Sequence, residues 1–204
     1  YMTPGINGLV VNKRESFYRM QSREIFNEYY LVYDQISPKI SLEQNKDKII
    51  NKGNSKYKKV SIIFEEESII SNYFKVNNIK ADLLVDIDTY KSNSYFEVIN
   101  NESTNFKALL KNLNLNKENT KICVINENNK DICLKNKHYL VEPTWKLTST
   151  NIFLIKKQID NGNIILIGKS AKLEDVKIIL KEISYKNLAI VYLSELISEE
   201  NTSK

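Results

Sequence analysis

The sequence predicts an α/β fold in which strands and helices alternate to build a mostly parallel sheet or barrel. Three observations carry that expectation. From Val60 onward, short β-branched apolar runs alternate with amphipathic stretches of helical period, the pattern of repeated strand–helix units. The run Val60-Ser61-Ile62-Ile63-Phe64 then stops in three carboxylates, Glu65-Glu66-Glu67. In alternating folds, ligands and catalytic groups gather at the C-terminal ends of strands. The last third of the chain is the third observation: strand, helix and strand succeed one another there with little between them.

Taken in order, residues 3–57 differ from the rest of the chain. Pro4-Gly5, Asn7-Gly8, Pro38 and Gly53-Asn54 punctuate a stretch of mixed polarity. Within it, Lys13 to Asn27 places Phe17, Met20, Glu24 and Phe26 in an imperfect helical period, Leu31-Val32-Tyr33 reads as a short strand, and Ile36 to Leu42 as an extended arm. After the strand at Val60–Phe64, Ser68–Val76 brings Ile69, Ile70, Tyr73 and Phe74 onto one helical face, stopped by Asn77-Asn78. Ala81–Val85 and Phe96–Ile99 read as strands. A helix capped by Ser103 or Thr104 carries Phe106, Leu109, Leu110 and Leu113. Tyr139–Val141 is a strand ending at Glu142-Pro143. Thr148-Ser149-Thr150 offers an N-cap for a helix with Ile152, Ile155 and Ile159, and Asn161-Gly162 stops it. Asn163–Ile167, Ala171–Ser184 and Leu188–Leu193 complete the alternation, before a short helix at Ser194-Glu195-Leu196-Ile197 and a polar tail.

The 204 residues suffice for one substantial core, so one main domain with an appendage is expected. With 42% hydrophobic and 27% charged residues the usage is globular. A net charge of +5, dispersed along the chain with no basic-aromatic motif, does not point to nucleic acid. No apolar run reaches the roughly 20 residues that cross a bilayer. The start, Tyr1-Met2-Thr3-Pro4-Gly5, reads as the interior of a longer chain, with any upstream anchor out of view. G-x-S-x-G, P-loop and dinucleotide fingerprints are absent, which leaves serine-hydrolase, nucleotide-binding and oxidoreductase chemistry without residues.

Cys123 and Cys133 flank Val124-Ile125-Asn126-Glu127-Asn128-Asn129-Lys130-Asp131-Ile132, two apolar arms around an Asn-rich turn. Folded as a hairpin centred near Asn128, the arms bring the cysteines within disulfide reach. That favours a disulfide, and an extracellular chain, over two free thiols.

Four stretches together resemble the polysaccharide deacetylase family, carbohydrate esterase family 4. Val60–Glu67 sits where that family has its first strand and an apolar-Thr-Phe-Asp-Asp-Gly motif. Ile79-Lys80-Ala81-Asp82-Leu83-Leu84-Val85 is similar to the family's second strand. Asn163-Ile164-Ile165-Leu166-Ile167 resembles the late strand that ends in Leu-His. Leu188-Ala189-Ile190-Val191-Tyr192-Leu193-Ser194-Glu195-Leu196 resembles the closing strand and its Leu-Ser-Glu-Leu helix start. The resemblance covers residues 59–198 and implies a distorted, incomplete (β/α) barrel. Residues 1–58 would be an N-terminal extension packing on it, like that of some bacterial cell-surface members, and 199–204 a polar tail.

The family's chemistry does not carry over with its strands. By resemblance, Glu65 stands for the catalytic Asp base and Glu66 for the metal-binding Asp. Each reaches roughly an ångström further than Asp, and Glu67 replaces a Gly. The region of the two His ligands falls at Asn100-Asn101-Glu102-Ser103-Thr104-Asn105, without a His. The arginine loop falls at Val141-Glu142-Pro143-Thr144-Trp145, without an Arg, and the late-strand His falls at Gly168. The chain has one His, His138, placed before a strand and read as a surface or hairpin residue rather than a ligand. A catalytic zinc takes about three protein ligands, usually with imidazoles. Glu65-Glu66-Glu67 reads as the acidic start of a helix or as a residual cation site. Trp145 reads equally as a sugar-stacking platform or a core plug.

The resemblance therefore implies a deacetylase-like domain without catalysis, binding glycan or protein at the bacterial cell surface, with no cofactor. One alternative is a metal-dependent carbohydrate deacetylase, of peptidoglycan or N-acetylglucosamine substrates, with a site rebuilt around Glu65, Glu66 and Glu142. It would cleave an amide C–N bond with zinc or another divalent cation, and needs carboxylates converging within about 5 Å in a cleft. The other alternative is a purely structural assembly module. As an extracellular domain, its expected partners are a cell-wall glycan or a surface protein, with Glu142 and Trp145 as candidate contacts.

Overall fold

The structure is a computed structural model that describes residues 1–21, 23, 25–85, 95–100 and 122–200. The helix expected around Phe106 and the region matching the family's His ligands lie outside the described residues.

Among the described residues the main sheet has nine strands, all paired parallel. They are β3 (Ile49–Ile50), β4 (Lys59–Phe64), β5 (Asp82–Val85), β6 (Glu97–Asn100), β7 (Ile122–Val124), β8 (Tyr139–Val141), β9 (Trp145–Leu147), β10 (Ile164–Ile167) and β11 (Ala189–Ile190). Their order is β3-β8-β7-β6-β5-β4-β10-β9, with β11 pairing the start of β4. A smaller antiparallel pair precedes it, β1 (Gly8–Val11) and β2 (Tyr33–Ile36).

One short connection shows that the sheet curls. β8 and β9 are six strand spacings apart in this order; on a flat sheet that is about 29 Å at ~4.8 Å per spacing. Only Glu142-Pro143-Thr144 joins them, a reach of at most about 14 Å between Val141 and Trp145. The sheet must therefore bend until its ends approach each other. The Thr144 hydroxyl staples the seam: it donates to the Asn51 carbonyl (2.6 Å) and accepts from the Ile164 amide (3.0 Å). Among the described residues no strand ladder closes the ring, so the barrel is incomplete, as expected from sequence.

Alternation along the strands sorts side chains into two layers. Ile63, Leu84, Ile99, Val124, Val141, Ile164 and Leu166 form the inner core. Val60, Ile62, Phe64, Leu83, Val98, Ile165 and Ile167 face outward against the helices. Those helices are α2 (Ile69–Val76), α4 (Ile152–Gln158) and α5 (Leu173–Tyr185), which contribute Phe74, Ile155, Ile179 and Ile183. Fully burying such a side chain contributes about 1.5–3 kcal/mol. α6 (Leu193–Leu196) closes the N-terminal end of the barrel with Leu193, Leu196 and Ile197.

Several boundaries differ from the sequence reading for local reasons. The helical patch beginning at Lys13 ends at Gln21, giving α1 (Lys13–Gln21). Asn27 caps a single 3-10 turn at Glu28–Tyr30, so the strand read at Leu31 begins at Tyr33. α4 is entered through Asn151, whose side-chain oxygen accepts from the Thr148 amide and whose side-chain amide donates to the Lys146 carbonyl, rather than through a Thr or Ser cap. The Cys hairpin is the larger correction. Cys123 lies on β7, but Cys133 lies on a helix, α3 (Lys130–Lys135). The Asn-rich segment builds the helix entry instead of a hairpin turn: Asn126 Oδ1 accepts from the amides of Asn128 and Asn129, and Asn129 binds back to Asn126 and Val124. The disulfide itself is present, with the two Cα atoms 6.2 Å apart.

Candidate functional site at the barrel mouth

The C-terminal ends of β4, β5, β7, β8, β9 and β10 surround a cleft of about 800 Å³. Its polar lining includes Glu65, Asn126, Glu142, Lys146, Lys169 and Ser170. Glu65 is where β4 stops. Lys146 reaches the mouth because β9 alternates: Trp145 and Leu147 face the outer core, and the residue between them faces the cleft.

The three consecutive carboxylates diverge. Glu65 pairs with Lys146 at 2.8 Å, Glu66 with Lys169 at 3.9 Å and Glu67 with Lys75 at 3.5 Å. None of them is in the first turn of α2. Ser68 caps that helix, accepting from Ile70 and bound back by Ser71, so the acids occupy the loop before the cap. Glu142 lines the same cleft as Glu65 and accepts a hydrogen bond from the Tyr1 hydroxyl; that bond and the Glu142 charge raise the Tyr1 pKa.

Gly168 lies beside Glu65, one residue past the Ile167–Phe64 register pair. A Cβ built on Gly168 would stand 2.8 Å from the Leu147 carbonyl oxygen and 3.2 Å from Lys146 Cε. No side chain fits there without moving backbone, and the Lys146 side chain already covers the position. Trp145 points elsewhere: its indole N–H donates to Asn163 (3.1 Å), and its ring packs on the outer core. The structure thus brings Glu65 and Glu142 to one cleft, sends Glu66 to a surface lysine, and keeps Trp145 in the packing.

These residues do not fit the metal centre of the deacetylase type. The chain has one imidazole, His138, which precedes β8, whereas the mouth residue Glu142 follows the other end of that strand. Both carboxylates at the family's Asp positions are committed to lysines, whose charges disfavour a cation there. Among the described residues, one set of three His, Cys, Asp or Glu groups gathers closely enough to share an ion: Cys123, Cys133 and His138, away from the mouth.

A second polar cluster, missed from sequence, lies at the opposite end of the barrel. Asp82 and Glu97 are buried at the starts of β5 and β6 and hydrogen-bond to each other. Both oxygens of Asp82 accept from the Leu193 amide at 3.1 Å, and Glu97 accepts from the Ser194 amide and hydroxyl. Burial first, then the neighbouring Glu97 charge, holds the Asp82 pKa well above the ordinary carboxylate range. Burial also raises Glu97. The pair ties the entry of α6 to the sheet. Its signal in the sequence was an acid inside each of two apolar strands, Ala81-Asp82-Leu83 and Phe96-Glu97-Val98.

No protein-family model and no curated protein matches this sequence. Solved structures do match it. Wild-type BA3943 of Bacillus anthracis, described as a CE4 family pseudoenzyme, superposes with a TM-score of 0.64 at 15% identity, covering 98% of this chain and 86% of that one. A family 4 carbohydrate esterase of the same organism gives 0.52 at 15% identity over 76% of this chain and 89% of that one. Bc1960, a peptidoglycan N-acetylglucosamine deacetylase, gives 0.50 at 12% identity over 81% of this chain and all of its own. The fold defined by the incomplete parallel barrel is therefore that of the polysaccharide deacetylases, carbohydrate esterase family 4. The superposition on BA3943 spans nearly the whole of this chain, N-terminal residues included.

Proposed function

We propose that this chain is a deacetylase-like domain that binds glycan at the barrel mouth without deacetylating it, at the bacterial cell surface. The observation that carries the reading is the Glu65–Lys146 pair lying across Gly168. The cleft persists at the end of the sheet where the family binds its substrate, with a volume in the 300–1,000 Å³ range of ligand sites. The lining supplies donors and acceptors, which suit the hydroxyl and amide groups of an N-acetylated sugar, while a lysine stem covers Gly168, the residue that by resemblance stands for the family's late-strand His. BA3943 is described as a pseudoenzyme, and a mutant of it as having restored activity, so the fold tolerates loss of catalysis. The disulfide is compatible with an extracellular location.

The test is a calorimetric titration with N-acetylglucosamine oligomers and with soluble peptidoglycan fragments. Binding weakened at least about tenfold, or 1.4 kcal/mol, by Lys146→Met is the expected result. Binding that is absent, or unchanged in Lys146→Met, removes the mouth as the glycan site.

A protein partner is favoured by a separate observation. Most of the large apolar side chains left exposed among the described residues precede residue 41, including Leu9, Val10, Phe17, Phe26 at 72% and Tyr29 at 93%. An exposed apolar surface of that kind marks interaction sites. Replacing Phe26 and Tyr29 with serine should abolish capture of a surface protein while leaving glycan binding intact; loss of both together would contradict separate surfaces.

A further inference from the structure

The strongest unassigned cluster lies under α3, where Cys123, Cys133 and Leu140 form a small core of their own. Cys123 and Cys133 are essentially inaccessible to solvent. His138 comes just after α3. Lys137 turns the chain in the left-handed region (φ 58°), and the His138 amide donates to the Cys133 carbonyl at 3.0 Å. This turn returns the imidazole to the sulfurs: one ring nitrogen of His138 and both Sγ atoms lie within 4.8 Å of one another. Nδ1 of His138 is buried and has no hydrogen-bond partner among the described residues.

A disulfide does not explain that nitrogen. Sulfur is a weak acceptor, and burying an unpaired polar atom costs about 1–3 kcal/mol. Two cysteines and one imidazole are, however, a familiar zinc donor set, with three protein ligands and a fourth position open.

We propose that the reduced chain binds one zinc-type divalent ion through Cys123, Cys133 and His138, and that disulfide formation and metal binding are alternative states of this one site. A dithiol reductant converts the disulfide to two thiols and is itself oxidised to its cyclic disulfide. The incoming M²⁺ then displaces both thiol protons, and two H⁺ leave to solvent. In the reverse direction a disulfide-class oxidant takes one electron from each thiolate, the S–S bond re-forms, and the ion departs as M²⁺ with no change in its own oxidation state. The site is unrelated to the deacetylase metal centre, which would lie at the barrel mouth, so it stands or falls apart from the glycan reading.

The test is anaerobic titration of the phosphine-reduced chain with Co²⁺, which reports thiolate ligation through its ligand-to-metal charge-transfer absorption. One equivalent per chain with that absorption, none in the oxidised chain, and affinity at least about tenfold weaker in His138→Ala are expected; loss of even an outer-shell partner costs 10–100-fold. A folded, reduced chain that shows no charge-transfer absorption overturns the proposal, as does a spectrum and affinity unchanged in His138→Ala. Should reduction unfold the chain, recovery of the native circular dichroism on adding Zn²⁺ supports the site, and failure to recover it overturns it.

Discussion

Gly168 sits so close beneath Leu147 that a Cβ on the glycine would be 2.8 Å from the leucine carbonyl oxygen. The contact is between backbones, so it cannot be relieved by a rotamer change. Gly168→Ala should lower stability by about 1–3 kcal/mol, as overpacking does, read as a fall in the urea midpoint at constant slope. Gly168→His should destabilise at least as much and should not create zinc affinity. A stable His variant that binds zinc would show that the mouth is more plastic than this packing allows.

The Glu65–Lys146 pair should matter more to binding than to folding. The lysine side chain is 56% exposed, and a solvated pair of this kind contributes about 0–1 kcal/mol. Glu65→Gln should therefore unfold at nearly the wild-type temperature, while its affinity for N-acetylated sugar oligomers drops. A large stability loss would mean that the pair holds the barrel mouth together instead.

Much of this was readable from the residues. Val60–Phe64, Tyr139–Val141 and Ala171–Ser184 announced themselves because their apolar spacing matches a strand or a helix packed on one side. The curl of the sheet was legible only through the family resemblance, which implied an incomplete barrel; apolar periodicity alone does not carry it, because it depends on β8 and β9 lying six spacings apart while joined by three residues. The Cys segment misled for a physical reason. An Asn-rich stretch supports either a hairpin turn or a helix entry, and the side-chain bonds of Asn126 and Asn129 select the second. At the mouth, Glu65 and Glu142 were legible as candidates, whereas the lysine partners were not, since ion pairs between strands distant in sequence leave no local pattern.

Asp82 gives a pH signature of definite sign. Its folded pKa is raised by burial and by Glu97, so over the affected range the native state holds a proton that the unfolded state has lost. Stability from this group is complete below the unfolded carboxylate pKa and is lost as pH rises through the folded one. Asp82→Asn mimics the protonated form and keeps an acceptor for the Leu193 amide. Thermal unfolding should therefore show the variant gaining on wild type as pH rises, with each kcal/mol worth about 2–4 °C in a chain of this size. Lys59 and Lys80 hold the Glu195 carboxylate nearby, and the Tyr192 phenol, raised first by burial and also by the Asp82 charge, faces the pair. A stability difference, variant minus wild type, that stays constant or falls as pH rises would contradict the raised Asp82 pKa.

Opening the Cys123–Cys133 bridge, which spans a sequence separation of 10 residues, should cost roughly 2–3 kcal/mol on the loop-entropy account. Comparing urea midpoints of the oxidised chain and of Cys123→Ser/Cys133→Ser, both without metal, gives the number directly. An unchanged midpoint would mean that the reduced pair is equally well accommodated.

The most direct test of the central claim is acetate release. The chain is incubated with N-acetylglucosamine oligomers and Zn²⁺ beside an active family 4 deacetylase, and acetate is quantified in both. The account predicts release at the level of the enzyme-free blank, because Lys146 covers Gly168, which by resemblance stands where the family has its late-strand His. Zinc-dependent acetate above that blank, abolished by Glu65→Gln, would contradict it and establish a rebuilt catalytic site.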